Sequence, residues 1–484
     1  MSESFPTFKR AASGLDRALL WMLLAFHRKK RRLLLIVILL LAVHLACLLI
    51  TGQMLDSAIN YAGEMDAQTS FPVPSNINEG GDDRLVIQLY MQAFCNLRVS
   101  FNDFALWSGR GRNDFNQSPT LSDSYKVWGP EWTALARRLV ACNGESLQLL
   151  AKAVNTRGYF SINKINHEPG DFNAYFSFNK ARRLLEARAT VLNADGKPDE
   201  ALKSCEAILR MMDQIQEPSP PQPDTFRKSI GYNLVAVQAI AKLLERSNPS
   251  PEACRKLFDY FAASNVRAQA LAEFRNRIWE DGDKIFGQVQ EGNLQDIESS
   301  YGGQHFLNRL DHQMLYSEAN ISHALLNLDK MAYFRRIGRI YKETGLSWPD
   351  SFRQLEKEEK QVQAAYLTPV AKLTLVTFEP QESLQFYVAD IAQFEACQIA
   401  LALKAYKGEH GQYPENLIQL EKAGWKLPLD PFTSKPFRYR KDGNGFLVYS
   451  VGPDMHDNGG RPHHTGSLRG KPAPEYDFPF RASM

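Results

Sequence analysis

Three patterns of apolar and polar positions follow one another along the chain. From Leu33 to Ile50 the run LLLIVILLLAVHLACLLI carries no charge and a single polar interruption, His44. At about 1.5 Å per residue, a helix of that length spans most of a hydrocarbon core of about 30 Å, so it can cross a membrane. From about Leu85 to Lys372 apolar residues return at helical spacing. From Val388 onward a helical run gives way to two short alternating runs, the period of strands.

Charge adds an orientation to the first pattern. Lys9, Arg10, Arg17 and the block Arg28, Lys29, Lys30, Arg31 and Arg32 precede the run, whereas Asp56, Glu64 and Asp66 follow it with no Lys or Arg before Arg84. The positive-inside rule then places the N-terminus in the cytoplasm and the bulk of the chain across the membrane. The expected division is a cytoplasmic tail over 1–32 and a transmembrane helix over 33–51 in contact with lipid. A leader that reaches Arg32 is long for a cleaved signal peptide. Leu45-Ala46-Cys47 ends like a lipobox, but His44 stands where that pattern wants Leu, and the apolar run continues past the cysteine. Upstream, Leu15, Ala18, Leu19, Met22, Leu23 and Phe26 share one helical face beside Arg17, as a helix lying on the inner leaflet requires. The other reading of that stretch is a simple extension of the anchor helix.

The chain has 484 residues, which predicts two to three folding units, and its formal net charge of +3 is set by the basic block. The remainder is close to neutral, which gives no reason to expect a nucleic-acid partner. No C-x-x-C occurs, so no metal or redox motif is present among the cysteines. Cys95, Cys142, Cys205, Cys254 and Cys397 lie beyond the membrane run. Such an odd set cannot all pair, and their apolar neighbours predict buried free thiols even in an oxidising compartment.

A linker over 52–84, rich in Pro, Asn and Gly around Phe71 to Asp83, leads to an extracytoplasmic helical domain over 85–372. Its helix starts are marked by proline followed by an acid: Pro130-Glu131, Pro198-Asp199, Pro251-Glu252 and Pro349-Asp350. Proline at the first helical position loses no hydrogen bond, and the carboxylate meets the positive end of the helix dipole. Ala181 to Met212 reads as helix, Gly-containing turn, helix, with Gly196 ending the first and Pro198 opening the second. This resembles one tetratricopeptide-type hairpin. The Pro-acid starts are unevenly spaced, so the expectation is an irregular bundle or solenoid of helix pairs. Ser161-Ile162-Asn163-Lys164 and Ser177-Phe178-Asn179-Lys180 match S-x-x-K, but the pattern recurs by chance and no K-T-G accompanies it. His305 and His312 lack a third ligand at metal-binding spacing. Tyr90, Phe94, Phe101, Phe104 and Trp107 recur at near-helical steps, the mark of a core stripe.

The C-terminal order of elements is more specific. In ADIAQFEACQIALALKAYKGEHG, the residues Ile391, Phe394, Cys397 or Gln398, Leu401 and Ala405 form an apolar face that ends at Gly408 or Gly411. Tyr413-Pro414-Glu415 restarts a short helix through Leu420, and Leu429-Asp430-Pro431-Phe432 leads into the run at Phe437 to Arg440. Asp442-Gly443-Asn444-Gly445 separates that run from Phe446 to Ser450, a strong hairpin signal.

The pieces ALKAYKGEHGQYPENLIQL, LDPFTSKPFRYR and FLVYSVGPDMHDNGG, in that order, resemble the C-terminal domain of the major pseudopilin of bacterial type II secretion systems. The resemblance covers about 390 to 460, with a tail at Tyr476-Asp477-Phe478, inside a domain expected over 386–484. It implies a structural calcium ion held by oxygen ligands in the loop after the YS-G-D element. Matched residue by residue, Asp454 and Asp457 occupy that loop, Asp477 stands for a later acidic ligand, and Asn458 is added by proximity. Clustered carboxylate and carbonyl oxygens suit a hard cation. The other reading of Gly452 to Gly460 is a turn-rich polar loop. No G-F-T-L-x-E element begins the apolar helix here, and several hundred residues separate that helix from the module.

The fold expected is therefore mainly α: a single-pass anchor, an irregular helical domain and a small C-terminal α+β module. The function expected is non-enzymatic, a secretion-associated or scaffold role in a bacterial envelope with envelope proteins as partners and no small-molecule substrate. Two alternatives belong to other classes: a hydrolase whose site forms only in the fold, and a sensor relaying a signal to the N-terminal helix.

Overall fold

The structure, a computed structural model, describes residues 14–69, 82–98, 130–158, 174–214, 223–264, scattered helical positions between 267 and 287, 323–343, 348–363, 380–461 and 478–482. Helix dominates these residues, and they divide into two compact units. One gathers Met1–Met65, Lys284–Arg339 and Tyr366–Thr377; the other gathers Asp66–Asp283, Ile340–Ala365 and Phe378–Met484.

In the first unit α1 runs unbroken from Gly14 to Thr69. The upstream stretch is thus an extension of the anchor helix, and the expected linker from 52 is helical as far as Thr69; residues 70–81 lie outside the described residues. No proline falls between Gly14 and Pro72, so the backbone has no cause to stop earlier. The stretch from Leu35 is long and apolar enough to cross a membrane. Its apolar side chains stay uncovered, Leu39 at 64% and Ile50 at 57% exposure, and the pattern then reverses at Thr51, which is 8% exposed.

Beyond that point Thr51, Ala58 and Ala62 form a buried stripe of small residues on α1. It faces α9, His323–Glu343. Asn327 Nδ2 lies 3.5 Å from the Thr51 hydroxyl. Gly338 lies so close to α1 that an added Cβ would be 2.5 Å from Tyr61 Cε1 and 3.2 Å from the Ala62 Cα. Tyr333 of α9 meets Phe286, from earlier in the chain, edge to face at 5.5 Å.

The second unit begins with α2 (Asp83–Cys95), α3 (Pro130–Cys142), α4 (Gly144–Asn155), α5 (Ala174–Ala194), α6 (Pro198–Asp213), α7 (Pro223–Arg246) and α8 (Pro251–Ala263). Each prolyl start matches the dipole and missing-donor logic, and Ser250 adds a side-chain cap that accepts from the Ala253 amide at 3.2 Å. The pair α5 and α6 is the hairpin expected from the sequence, with Gly196 at φ +71 between them. Ala187 and Ala201 are fully buried. Of the aromatic stripe, Tyr90 and Phe94 are buried and Phe178 packs against Phe94 at 4.7 Å; Phe101, Phe104 and Trp107 lie outside the described residues. Gln214 ties three helices together, accepting from the Tyr90 hydroxyl at 2.6 Å and donating to the Ala153 carbonyl at 3.0 Å.

Then come α10 (Trp348–Gln363), α11 (Pro380–His410) and α12 (Leu417–Lys422), followed by β1 (Arg438–Asp442), β2 (Gly445–Ser450) and β3 (Phe478–Ala482). The strands form one antiparallel sheet with β2 in the centre, Arg438 opposite Tyr449 and Ser450 opposite Phe478. Every residue of β2 is buried, which leaves the sheet a single short central strand closed on both edges. Gly443 at φ +56 supplies the first central position of the two-residue hairpin loop, where a positive φ is required. Helix α11 packs against α7, α8 and the two strands β2 and β3. Cys205, Cys254 and Cys397 are buried free thiols as expected, whereas Cys95 and Cys142 are free but exposed.

Two measurements test this packing. Gly338→Val is expected to destabilise the detergent-solubilised chain by about 1–3 kcal/mol through overpacking. Since the closest clash is with the Tyr61 ring, adding Tyr61→Ala should recover part of that loss in a denaturation double-mutant cycle, and strict additivity would refute the contact.

The second concerns Lys404, which is buried and donates to the Ser247 carbonyl and Asn248 Oδ1, each at 3.1 Å. Burial first, then the charge of Lys407, pushes its pKa down to about 8, against a smaller opposing effect of Cys254. A depressed folded value means the contribution of Lys404 is full above the unfolded value and is lost as pH falls through about 8. Urea melts at pH 8 and 10.5 should show that loss, of the order of 3 kcal/mol, and Lys404→Met should flatten it.

Candidate functional site

The candidate site is the loop that leaves β2. It is anchored on Asp430, a carboxylate only 1% exposed. Asp430 Oδ1 accepts from the Phe432 amide at 2.9 Å and the Ser450 hydroxyl at 2.8 Å, and Oδ2 accepts from the Val451 amide at 3.1 Å. Burial raises its pKa, partly offset by these donors and by the Arg267 charge. The turn itself is closed by the Asp430 amide on the Lys435 carbonyl at 2.8 Å and by the Ser434 amide on the Asp430 carbonyl at 2.7 Å. Asp430 thus fixes the end of β2 to the connector before β1.

Arg267 carries the same network into the helical layer. Its guanidinium grips Glu395 on α11 at 2.5 and 2.8 Å and donates to the Leu429 carbonyl at 2.6 Å. Glu395 is 5% exposed, and burial raises its pKa against the pull of Arg267. Around this point Phe432 stacks on Phe352 at 5.7 Å, and Trp425 receives Phe258 edge-on at 4.8 Å and Arg255 at 4.0 Å from its ring.

From Val451 the chain turns back along β2. Gly452, Gly459 and Gly460 have φ of +76, +73 and +76, and Met455 adopts +58. Gly460 sits against β2 so closely that an added Cβ would meet Leu447 Cδ2 at 2.6 Å. Asp454, Asp457 and Asn458 share this loop. Asp454 accepts from the His456 amide and from Asn458 Nδ2, each at 3.0 Å. Asp457 accepts from the Tyr449 hydroxyl at 2.9 Å and the Gly459 amide at 3.0 Å, and pairs with Arg438 Nε at 3.2 Å.

The sequence-predicted ligands are therefore partly assembled: Asp454 and Asn458 touch, and Asp457 lies in the same turn with its charge already met by Arg438. Asp477 lies outside the described residues. Among the described residues no group of three or more His, Cys, Asp or Glu side chains gathers in metal-binding fashion. Asp454 with the loop carbonyls offers hard oxygen donors of the kind calcium takes, whereas Asp457 would have to exchange Arg438 for the ion. Of the S-x-x-K pairs, Ser177 and Lys180 lie one turn apart on α5; Ser161, Lys164, His305 and His312 fall outside the described residues.

The Leu429-Asp430-Pro431-Phe432 element is visible in the sequence without a role for Asp430, and neither Arg267 nor Glu395 stands out there. An Asp before a Pro at a strand entrance is a turn signal that could have found the first. Nothing local marks the other two, whose partners are far away in sequence. Searches against family models, curated proteins and solved structures find no match to this chain.

Asp430→Ala leaves two buried amides and the Ser450 hydroxyl without their acceptor, and the expected cost is about 3 kcal/mol by chemical denaturation. Asp430→Asn keeps one acceptor oxygen and should cost less. Arg267→Met strands the Glu395 carboxylate and is expected to lose about 3–5 kcal/mol, most of it recovered by adding Glu395→Leu. Equal losses in the single and double variants would show that the stranded carboxylate is not the source of the loss.

Proposed function

We propose that this chain is a non-enzymatic, single-pass protein of the bacterial inner membrane, with its N-terminus in the cytoplasm, that serves as a secretion-associated scaffold for envelope proteins. The N-terminal helix anchors it, the helix pairs present protein-binding surface, and the C-terminal module acts as a pseudopilin-like cap stiffened by calcium. The observation that carries this reading is the construction of the module. A long apolar helix, a short helix capped by Asn416, the Asp430 connector and an antiparallel sheet lead in order to a loop holding Asp454 and Asp457. That is the order on which the resemblance rests. Helix α11 supports it further by serving the helix pairs and the sheet at once, so a partner gripping the module pulls directly on the helical layer.

Two experiments test the reading on the full chain. In spheroplasts, a membrane-impermeant maleimide should label the exposed Cys95 and Cys142 from outside; labelling only after lysis would reverse the orientation. In detergent, calcium should raise the melting temperature by mass action, about 2.7 kcal/mol of stabilisation at a hundredfold excess over Kd. The Asp454→Ala, Asp457→Ala double variant should lose that shift. A calcium effect that survives the double variant, or no effect at all, removes the calcium claim and leaves the module as a shape.

A further inference from the structure

The packing of α1 on α9 sets a height. Asn327 approaches Thr51 across a sequence separation of 276, and the same separation relates Gly338 to Ala62. Equal spacing on both helices means that they run parallel, and since both rise about 1.5 Å per residue, each position on α9 has a partner level on α1. Leu328 is therefore level with Gly52, and the first residues of α9 are level with Cys47 to Ile50, the uncovered apolar end of the membrane-length stretch.

The sequence of α9 changes character at that height. Its opening residues, His323-Ala324-Leu325-Leu326-Asn327-Leu328, carry no acid, Lys or Arg, and charges begin at Asp329 and Lys330. On α1 the first charge past the apolar stretch is Asp56. Leu328 is a large apolar side chain left 36% exposed, about two residues' rise beyond the level of Ile50, which is 57% exposed. A partly exposed leucine beside a membrane-length helix, one turn from its last apolar residues, loses contact with water most readily by entering the interface.

We propose that the first turns of α9 rest in the headgroup layer of the bilayer on the side from which α1 emerges, so that the chain meets lipid at a second point besides its spanning helix. The proposal rests on α1 crossing the membrane as read above, and it commits to lipid because the apolar surface of Leu328 continues that of α1. The two helices then leave the membrane as a pair, with the Thr51 to Asn327 contact at the interface and the Gly338 to Ala62 contact roughly 16 Å further out.

The test places an environment-sensitive fluorophore on Ile50→Cys, Leu328→Cys and Arg339→Cys in turn. The full chain carries Ser in place of the exposed Cys47, Cys95 and Cys142 and is reconstituted in phosphatidylcholine nanodiscs containing a lipid with a nitroxide on its headgroup. Quenching at Leu328→Cys comparable to that at Ile50→Cys, and severalfold weaker at Arg339→Cys, is the expected result. Strong quenching at Ile50→Cys with none at Leu328→Cys overturns the second contact while leaving the spanning helix intact. No quenching at Ile50→Cys removes the membrane reading and the proposal with it. Leu328→Trp, read with brominated lipids, keeps the outcome decisive if the labelled cysteine disturbs α9, since loss of bromine quenching there counts against the proposal equally.

Discussion

Glu395 sits among Ile391, Phe394 and the apolar residues of α11, and an ionised carboxylate in that setting is tolerable only with a partner that reaches it. Arg267 does so with two hydrogen bonds and spends a third on the Leu429 carbonyl. The next residue, Asp430, then gathers the Ser450 hydroxyl and the Val451 amide at the end of β2. Helix, connector, sheet and exit loop are thus held by a chain of charge-assisted contacts, each of which would be a liability without the one before it. The apolar core around α11 supplies most of the stabilisation, and the polar chain decides which arrangement that core adopts.

The order of elements was legible wherever the signal was local. Prolines before acids marked α3, α6 and α8, Gly196 marked the hairpin between α5 and α6, and the Asp442 to Gly445 tetrapeptide marked the turn of the sheet. The continuation of α1 to Thr69 was not legible, because polar residues after Ile50 look like a linker until tertiary packing, in which α9 meets Thr51 and Ala62, buries Thr51, Ala58 and Ala62. Small residues on a helix announce neither exposure nor burial on their own.

The candidate site divides along the same line. Asp454 and Asp457 were named through the resemblance and Asn458 through its proximity to them, and the structure keeps the three in one turn. Asp430 was visible as a motif without a role. Arg267 and Glu395 were invisible, since the information that pairs them lies in the packing of α11 against the segment after α8. Arg438, which meets the charge of Asp457, likewise sits across the hairpin where only strand register reveals it.

The unbroken course of α1 has a mechanical meaning. A continuous helix bends little over a few turns, so the portion beyond the apolar stretch follows whatever angle the apolar stretch takes. That angle varies with hydrocarbon thickness, since a long apolar helix tilts to hide its excess length in a thinner bilayer. A change of ten degrees would move Ala62 sideways by roughly 3 Å, as far as the 3.2 Å that would separate its Cα from a Cβ added at Gly338. With α1 spanning a bilayer as proposed, the helix would work as a stiff lever, through which the thickness and composition of the lipid around it bear on the seat of α9.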